Sequence, residues 1–301
     1  MTLRLRLGIC YDGTEFSGWA VQPERRTVAG EIGAALAVLF RQTVPMVVAG
    51  RTDAGVHATG QVAHIDVPSE GFAALSPRHL LRDGGIGPLN DTSAGLVGLR
   101  RRLAGLLPTD IRVPTVELAP AGFDARFSAL RRHYRYLISC SEWGIAPLNR
   151  NEILHWRRRL DPERMVVAAN RLVGLHDFAA YCKPREGATT IRHLQSLAVT
   201  AAPTRLGPGL DVVIDVAADA FCHSMVRSLV GALIAVGEGR FSVDRPAELL
   251  DARARTSEIA VAPARGLTLY AVDYPDASEL AQRAEQTRAV RETPGGCDCS
   301  D

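Results

Sequence analysis

One stretch of the chain combines the residue types that a reaction needs: Gly50-Arg51-Thr52-Asp53-Ala54-Gly55-Val56-His57. An ionised carboxylate on an approachable loop can serve as a nucleophile or a base. Asp53 follows Arg51 by two residues, so a guanidinium lies at hand as counter-charge. The flanking glycines allow backbone conformations closed to other residues and let another molecule come close. The same spacing also suits an ordinary loop with an aspartate in a turn. No second carboxylate stands near Asp53, so a paired acid and base of the glycosidase kind gains no support. A nucleophile-elbow serine, a phosphate-binding loop and a dinucleotide fingerprint are absent from any valid context.

A second group mixes charge with rings. Arg126, Arg131, Arg132 and Arg135 gather around Tyr134 and Tyr136. Splayed-out bases need cations for phosphate and rings for stacking. A core strand with both tyrosines turned inward fits the pattern equally. Arg227 sits among Val226, Leu229 and Val230, so it is expected to be partly buried and to need an anion. That anion belongs either to a site or to a structural ion pair. His223 reads as a packed helix residue, and Arg157-Arg158-Arg159 as a solvated face.

The elements that must hold these residues are legible from periodicity. Residues 3–10 alternate as a half-buried strand, and Tyr11-Asp12-Gly13-Thr14 breaks it. Residues 28–39 show one apolar helical face, with Thr27 as cap. Strands are expected at 46–49 and 61–67, either side of the Asp53 loop. Residues 68–95 gather Ser, Gly, Pro, Asp and Asn and read as a long surface excursion. Helix returns near 96–107. The Pro-rich stretch from Pro114 to Pro120 is the expected boundary, giving halves of 1–118 and 119–275. In the second half, strands are expected at 133–140, 194–200, 210–217 and 267–274. Helices are expected after Asp161-Pro162, over 221–236, and from Pro246. Both halves contain strand–helix–strand units, which predicts an α+β fold of two related halves with helices covering one side of a sheet. Residues 276–301 read as a partly helical, then flexible tail.

Composition narrows the classes. Of 301 residues, 47% are hydrophobic and 23% charged, which suits a globular protein with a sizeable core. The net charge is only +2, so any nucleic-acid surface must come from local clustering. The cations are 34 Arg and a single Lys, a bias that genome composition alone can produce. Six cysteines form no metal-binding spacing and mostly sit in apolar contexts, as reduced buried thiols do. With no signal-like start and no long apolar run, the expected compartment is the cytoplasm, with no membrane contact.

Taken together, the residues resemble a known family. Gly50-Arg51-Thr52-Asp53-Ala54-Gly55-Val56-His57-Ala58-Thr59-Gly60-Gln61-Val62 looks like the signature of the tRNA pseudouridine synthase A family. Four further segments agree in order: Tyr11-Asp12-Gly13-Thr14 with Gly18-Trp19; Phe123 to Ala129 leading to Tyr134-Arg135-Tyr136; Met225-Val226-Arg227 with Val230-Gly231; and Pro263-Ala264-Arg265-Gly266-Leu267. The resemblance implies isomerisation of uridine to pseudouridine at nucleotides 38, 39 and 40 in the anticodon stem-loop of tRNA. It implies mostly antiparallel sheets with a catalytic cleft between the halves. By motif, Asp53 is the expected catalytic nucleophile, Arg51 helps displace the flipped base, Tyr134 stacks on the uracil and Arg227 pairs with Asp53. The resemblance also implies a homodimer acting on tRNA with no cofactor and no metal. Departures from the pattern, Ala20 after Gly18-Trp19 and Ala104 before Leu107-Pro108, lie outside these four residues. A catalytically idle RNA-binding protein on the same scaffold is the alternative, and the presence of Asp53, Tyr134 and Arg227 together argues against it.

Overall fold

The computed structural model describes residues 2–76, 91–183, 189–204, 207–252 and 256–288. They divide into two compact units, one of Met1–Leu130 with Tyr270–Thr287, the other covering Arg131–Leu269.

The first unit is built on β1 (Thr2–Tyr11), whose alternation buries Leu5, Leu7 and Ile9. It is followed by α1 (Val28–Phe40), β2 (Met46–Val48), β3 (His57–Pro68), α2 (Ser69–Ala73), α3 (Asp91–Leu106) and β4 (Ile111–Leu118). β1 runs antiparallel between β3 and β4, with Leu5 opposite Ile65 and Leu118, and β2 pairs with β3. The Thr27 hydroxyl caps α1 by accepting from Gly30 N at 3.2 Å. Helix α3 packs on β4, α2 on β3, and α1 on α3. The expected boundary at Pro114–Pro120 is instead largely strand. Pro114 lies where the β1–β4 register shifts between Gly8/Thr115 and Cys10/Arg112, a bulge that tolerates a residue without an N–H. Residues 119–130 stay with this unit, because Phe123 and Ala125 pack with Ala49, Val62 and Leu280.

The second unit contains β5 (Arg131–Ser139), β6 (Leu154–His155), α4 (Pro162–Asn170), β7 (Gly174–Asp177), β8 (Ile191–Pro203), β9 (Leu210–Ala218), α5 (Met225–Gly237) and α6 (Arg245–Asp251). β9 lies antiparallel between β5 and β8, β7 pairs antiparallel with β8, and β6 adds a parallel pair to β5. Asp161 caps α4 by accepting from Arg164 N, with Pro162 in the first turn. α4 packs on β8 and on α5, whose side chains are almost all buried. β10 (Leu267–Asp273) runs across the division between the units, and α7 (Leu280–Arg288) follows, with Leu280 and Ala284 buried. The architecture is α+β, and every described pairing except β5 with β6 is antiparallel.

Three expectations change. The helix expected over 221–236 begins at Met225, because Ser224 adopts φ 64° and a left-handed residue stops the helix from extending backwards. His223 therefore precedes the helix and is exposed rather than packed on it. Cys182 and Cys222 are not separate thiols but a disulfide, with Cα atoms 5.7 Å apart across 40 residues of sequence. Cys10 and Cys140 are free, and burial pushes both thiols up. The Gly84-Gly85-Ile86-Gly87-Pro88 part of the 68–95 excursion, and Cys297 and Cys299, lie outside the described residues. Among the described residues no helix is long and apolar enough to cross a membrane.

Close packing of α5 yields a paired prediction. A methyl group on Gly231 would lie 1.7 Å from Ala260 O, whereas one on Gly33 of α1 meets nothing within 4 Å. Gly231→Ala should lower the thermal midpoint through a backbone clash of about 1–3 kcal/mol or more. Gly33→Ala should raise it, by roughly 0.5–1 kcal/mol of helix propensity. Thermal unfolding of the two variants checks both signs.

Candidate active site

The Asp53 loop joins β2 to β3 and is held at nearly every residue. Gln61 is fully buried on β3 and donates through Nε2 to Gly50 O at 2.8 Å. The buried Tyr11 hydroxyl lies 2.8 Å from Thr52 Oγ1 and 3.4 Å from Gln61 Nε2. Burial pushes the Tyr11 phenol up to about 12, so it keeps its proton at neutral pH. Trp19 N donates to Thr52 O at 3.0 Å, and Gly55 N to Phe16 O at 3.2 Å. Gly18 sits at φ 96°, where a Cβ would lie 2.9 Å from Thr52 O, so glycine is the residue that fits.

Asp53 opens a turn closed by Val56 N donating to Asp53 O at 3.2 Å, and Gly55 supplies the positive φ of 78° at its third position. Asp53 is half-buried and Arg51 exposed. Just past the turn, His57 Nδ1 lies 3.0 Å from Gly13 N and 3.1 Å from Asp12 Oδ1. By accepting the Gly13 N–H, the His57 ring is fixed against the turn that follows β1. Asp12 Oδ1 also accepts from Thr14 N and Thr14 Oγ1. A depression of about 290 Å³ lies over β1, β3 and β4, lined by Arg6, Thr59, Gly60, Thr115 and Glu117 among others, and no residue of the Asp53 loop borders it.

In the second unit, Tyr134 and Tyr136 share one face of β5, as the alternation predicts. They differ in role. Tyr136 is fully buried and its hydroxyl donates to Pro263 O at 2.8 Å, which makes it a core residue. Tyr134 is largely buried and meets Phe221 edge-to-face, with ring centroids 5.1 Å apart at 89°. Arg227, on the first turn of α5, donates through Nε to Ala262 O at 2.7 Å, while Ala262 N donates to Arg227 O at 3.0 Å. The Pro263-to-Leu267 segment is thus fastened to α5 and β5. Gly266 takes φ 96° against Leu137 O and the Tyr136 ring, and Leu137 N donates to Gly266 O at 2.9 Å.

Arg51 and Asp53 therefore belong to the first unit, Tyr134 and Arg227 to the second. Of the basic cluster, Arg135 forms a two-pronged pair with Asp215 on β9, and Arg126 lies over Phe127 at 5.0 Å. Arg157, Arg158 and Arg159 are exposed, as expected of a solvated face. The residues given no role from sequence are Tyr11, Thr52 and Gln61 around the loop and Phe221 against Tyr134. Polar side chains at inward-facing positions of β1 and β3 were the available signal for Tyr11 and Gln61.

Tyr136→Phe should test the fastening of the 263–267 segment. It leaves Pro263 O without its donor, so the urea midpoint should fall by an amount equivalent to roughly 1–3 kcal/mol. An unchanged midpoint would mean that the bond contributes nothing.

A family model for tRNA pseudouridine synthase matches residues 168–275. A tRNA pseudouridine synthase A from Mycobacterium leprae is 48% identical over 289 residues, covering 96% of both chains. One from Corynebacterium glutamicum is 50% identical, covering 97% of this chain and 96% of the relative, and one from Frankia casuarinae is 50% identical, covering 98% of both. With half of its residues identical to these relatives over nearly its whole length, the chain belongs to the tRNA pseudouridine synthase A family.

Proposed function

We propose that this protein converts uridine to pseudouridine in tRNA, at positions 38, 39 and 40 of the anticodon stem-loop. The observation that carries the reading is the Asp53 loop: a carboxylate and a guanidinium displayed on a turn whose flanking residues are fixed by buried hydrogen bonds. In this reaction the N1–C1′ bond breaks, the uracil turns, and a C5–C1′ bond forms. C5 loses a proton and N1 gains one, so nothing is oxidised and no atom is added. A carboxylate nucleophile and a means of holding the detached base are sufficient, and no cofactor or metal is called for by the stoichiometry.

Asp53 is the nucleophile. Arg51, exposed beside it, takes the place of the flipped base in the RNA stack and meets phosphate. Tyr134, packed edge-to-face with Phe221, stacks on the uracil so that it is not lost after detachment. Arg227 is the cation assigned to the Asp53 carboxylate, and the charge of such a partner keeps a carboxylate ionised. The enzyme works as a homodimer in the cytoplasm, with tRNA as its partner.

Asp53→Asn and Asp53→Ala should abolish pseudouridine formation on unmodified tRNA while leaving tRNA binding intact. Undiminished turnover by either variant would sink the nucleophile assignment, and binding without product in the wild type would instead support an idle RNA-binding protein. Tyr134→Phe, which keeps the ring, should retain tRNA binding. Because arginines meet phosphate, affinity should fall about tenfold or more between 50 and 200 mM salt. A flat salt profile contradicts the phosphate contacts.

A further inference from the structure

We propose that Tyr11 and Gln61 are positioning residues for Asp53, acting through Gly50 and Thr52, and that their polar atoms serve the reaction rather than the stability of the core. The inference rests on the reading of Asp53 as the reacting group.

Both side chains are polar groups in apolar surroundings. Gln61 is 0% exposed and Tyr11 5%, among Leu7, Ile9 and Val62. Burying an amide and a phenol costs free energy that only hydrogen bonds recover, and an apolar pair of similar volume would fill the same space without that cost. Among the described residues, every hydrogen bond these two side chains make runs to the loop, to each other or to the next residue of β3. Gln61 Nε2 donates to Gly50 O at 2.8 Å and to the Tyr11 hydroxyl at 3.4 Å, and Gln61 Oε1 accepts from Val62 N at 3.2 Å. The Tyr11 hydroxyl, accepting from Gln61, has its proton left for Thr52 Oγ1 at 2.8 Å.

The pinned atoms bracket the functional residues. Gly50 O lies one residue before Arg51, and Thr52 Oγ1 one residue before Asp53. Trp19, whose ring centroid is 6.0 Å from that of Tyr11, holds Thr52 O from the other side through its backbone N–H. With Thr52 fixed at both its side chain and its carbonyl, little freedom remains in the backbone that aims the Asp53 carboxylate. The anchors come from β1 and β3, neighbouring strands of one sheet, so the loop inherits the rigidity of the sheet. Thr52 is 6% exposed, which keeps water from competing for its hydroxyl.

The test is single-turnover kinetics on an unmodified tRNA transcript, with full-length enzyme in excess. The variants are Tyr11→Phe, Thr52→Val, their double variant, Gln61→Met, and Thr52→Ser as the conservative replacement. Tyr11→Phe and Gln61→Met should slow the step at saturating enzyme by roughly 10- to 100-fold, since small misplacements of reacting groups cost that much. The apparent Kd for tRNA should be unchanged. Tyr11→Phe and Thr52→Val remove the two ends of one hydrogen bond, so the double variant should be no slower than the slower single one. Thr52→Ser, which keeps the hydroxyl, should restore the rate.

Wild-type rates for Tyr11→Phe and Gln61→Met would overturn the proposal. So would multiplicative losses in the double variant, or a loss that tracks a fall in thermal midpoint and leaves Thr52→Ser as slow as Thr52→Val. Asp53→Asn in the same series separates the two claims. Turnover by Asp53→Asn removes the nucleophile reading itself. An inactive Asp53→Asn beside a fully active Tyr11→Phe removes only the positioning role.

Discussion

The hydrogen bond between the Tyr11 hydroxyl and Thr52 Oγ1 ties the reactive loop to the first strand of the fold. Much of the first unit follows from the need to make that bond. Tyr11 is the last residue of β1, and β1 reaches that point only because Leu5, Leu7 and Ile9 bury one face and set its register against β3. The same register brings Gln61 opposite Ile9, within reach of both the Tyr11 hydroxyl and Gly50 O. A shift of one residue would turn Gln61 to the other face and leave the loop unheld. Gly13 and Gly18 complete the frame. A side chain at Gly13 would lie 2.0 Å from Val56 O, so the turn after β1 approaches the loop more closely than any other residue allows.

The second unit places its side chains by a different device. Arg227 is on a helix, and the helix is located by backbone contact rather than by side-chain interlocking alone. Ala262 exchanges hydrogen bonds with Arg227, and Gly231 lets the Ala260 carbonyl rest against the helix. One turn earlier, Ser224 ends the helix and the Cys182–Cys222 disulfide fastens the preceding segment. Phe221 is carried on that segment, which is how its ring comes to meet Tyr134. Tyr136, two residues along the same strand, is spent on the core, and its bond to Pro263 O anchors the 263–267 segment.

The parts legible in the sequence are those with strong local periodicity. The alternation of residues 3–10, the Thr27 cap and the Asp161-Pro162 start all reappear in the fold with nearly the expected limits. The spacing places the start of the helix that carries Arg227 four residues too early, because Phe221 fits the helical pattern while Ser224, which stops the helix, carries no warning in its type. Pro114 suggested a linker because proline rarely sits inside a sheet, and only pairing with β1 reveals the bulge that accommodates it. The disulfide partners are 40 residues apart and have no spacing signature. At the site, the Gly-Arg-Thr-Asp loop was visible as a motif. The bonds from Tyr11 and Gln61 were not, since they depend on cross-strand register and not on distance along the chain.

The function depends on whether the Asp53 loop acts on uridine in tRNA. The most direct measurement incubates the purified full-length chain with an unmodified tRNA transcript and maps pseudouridine chemically, nucleotide by nucleotide. The expected result is new pseudouridine confined to positions 38, 39 and 40. A transcript that binds yet emerges unmodified, or one modified only outside the anticodon stem-loop, would contradict it.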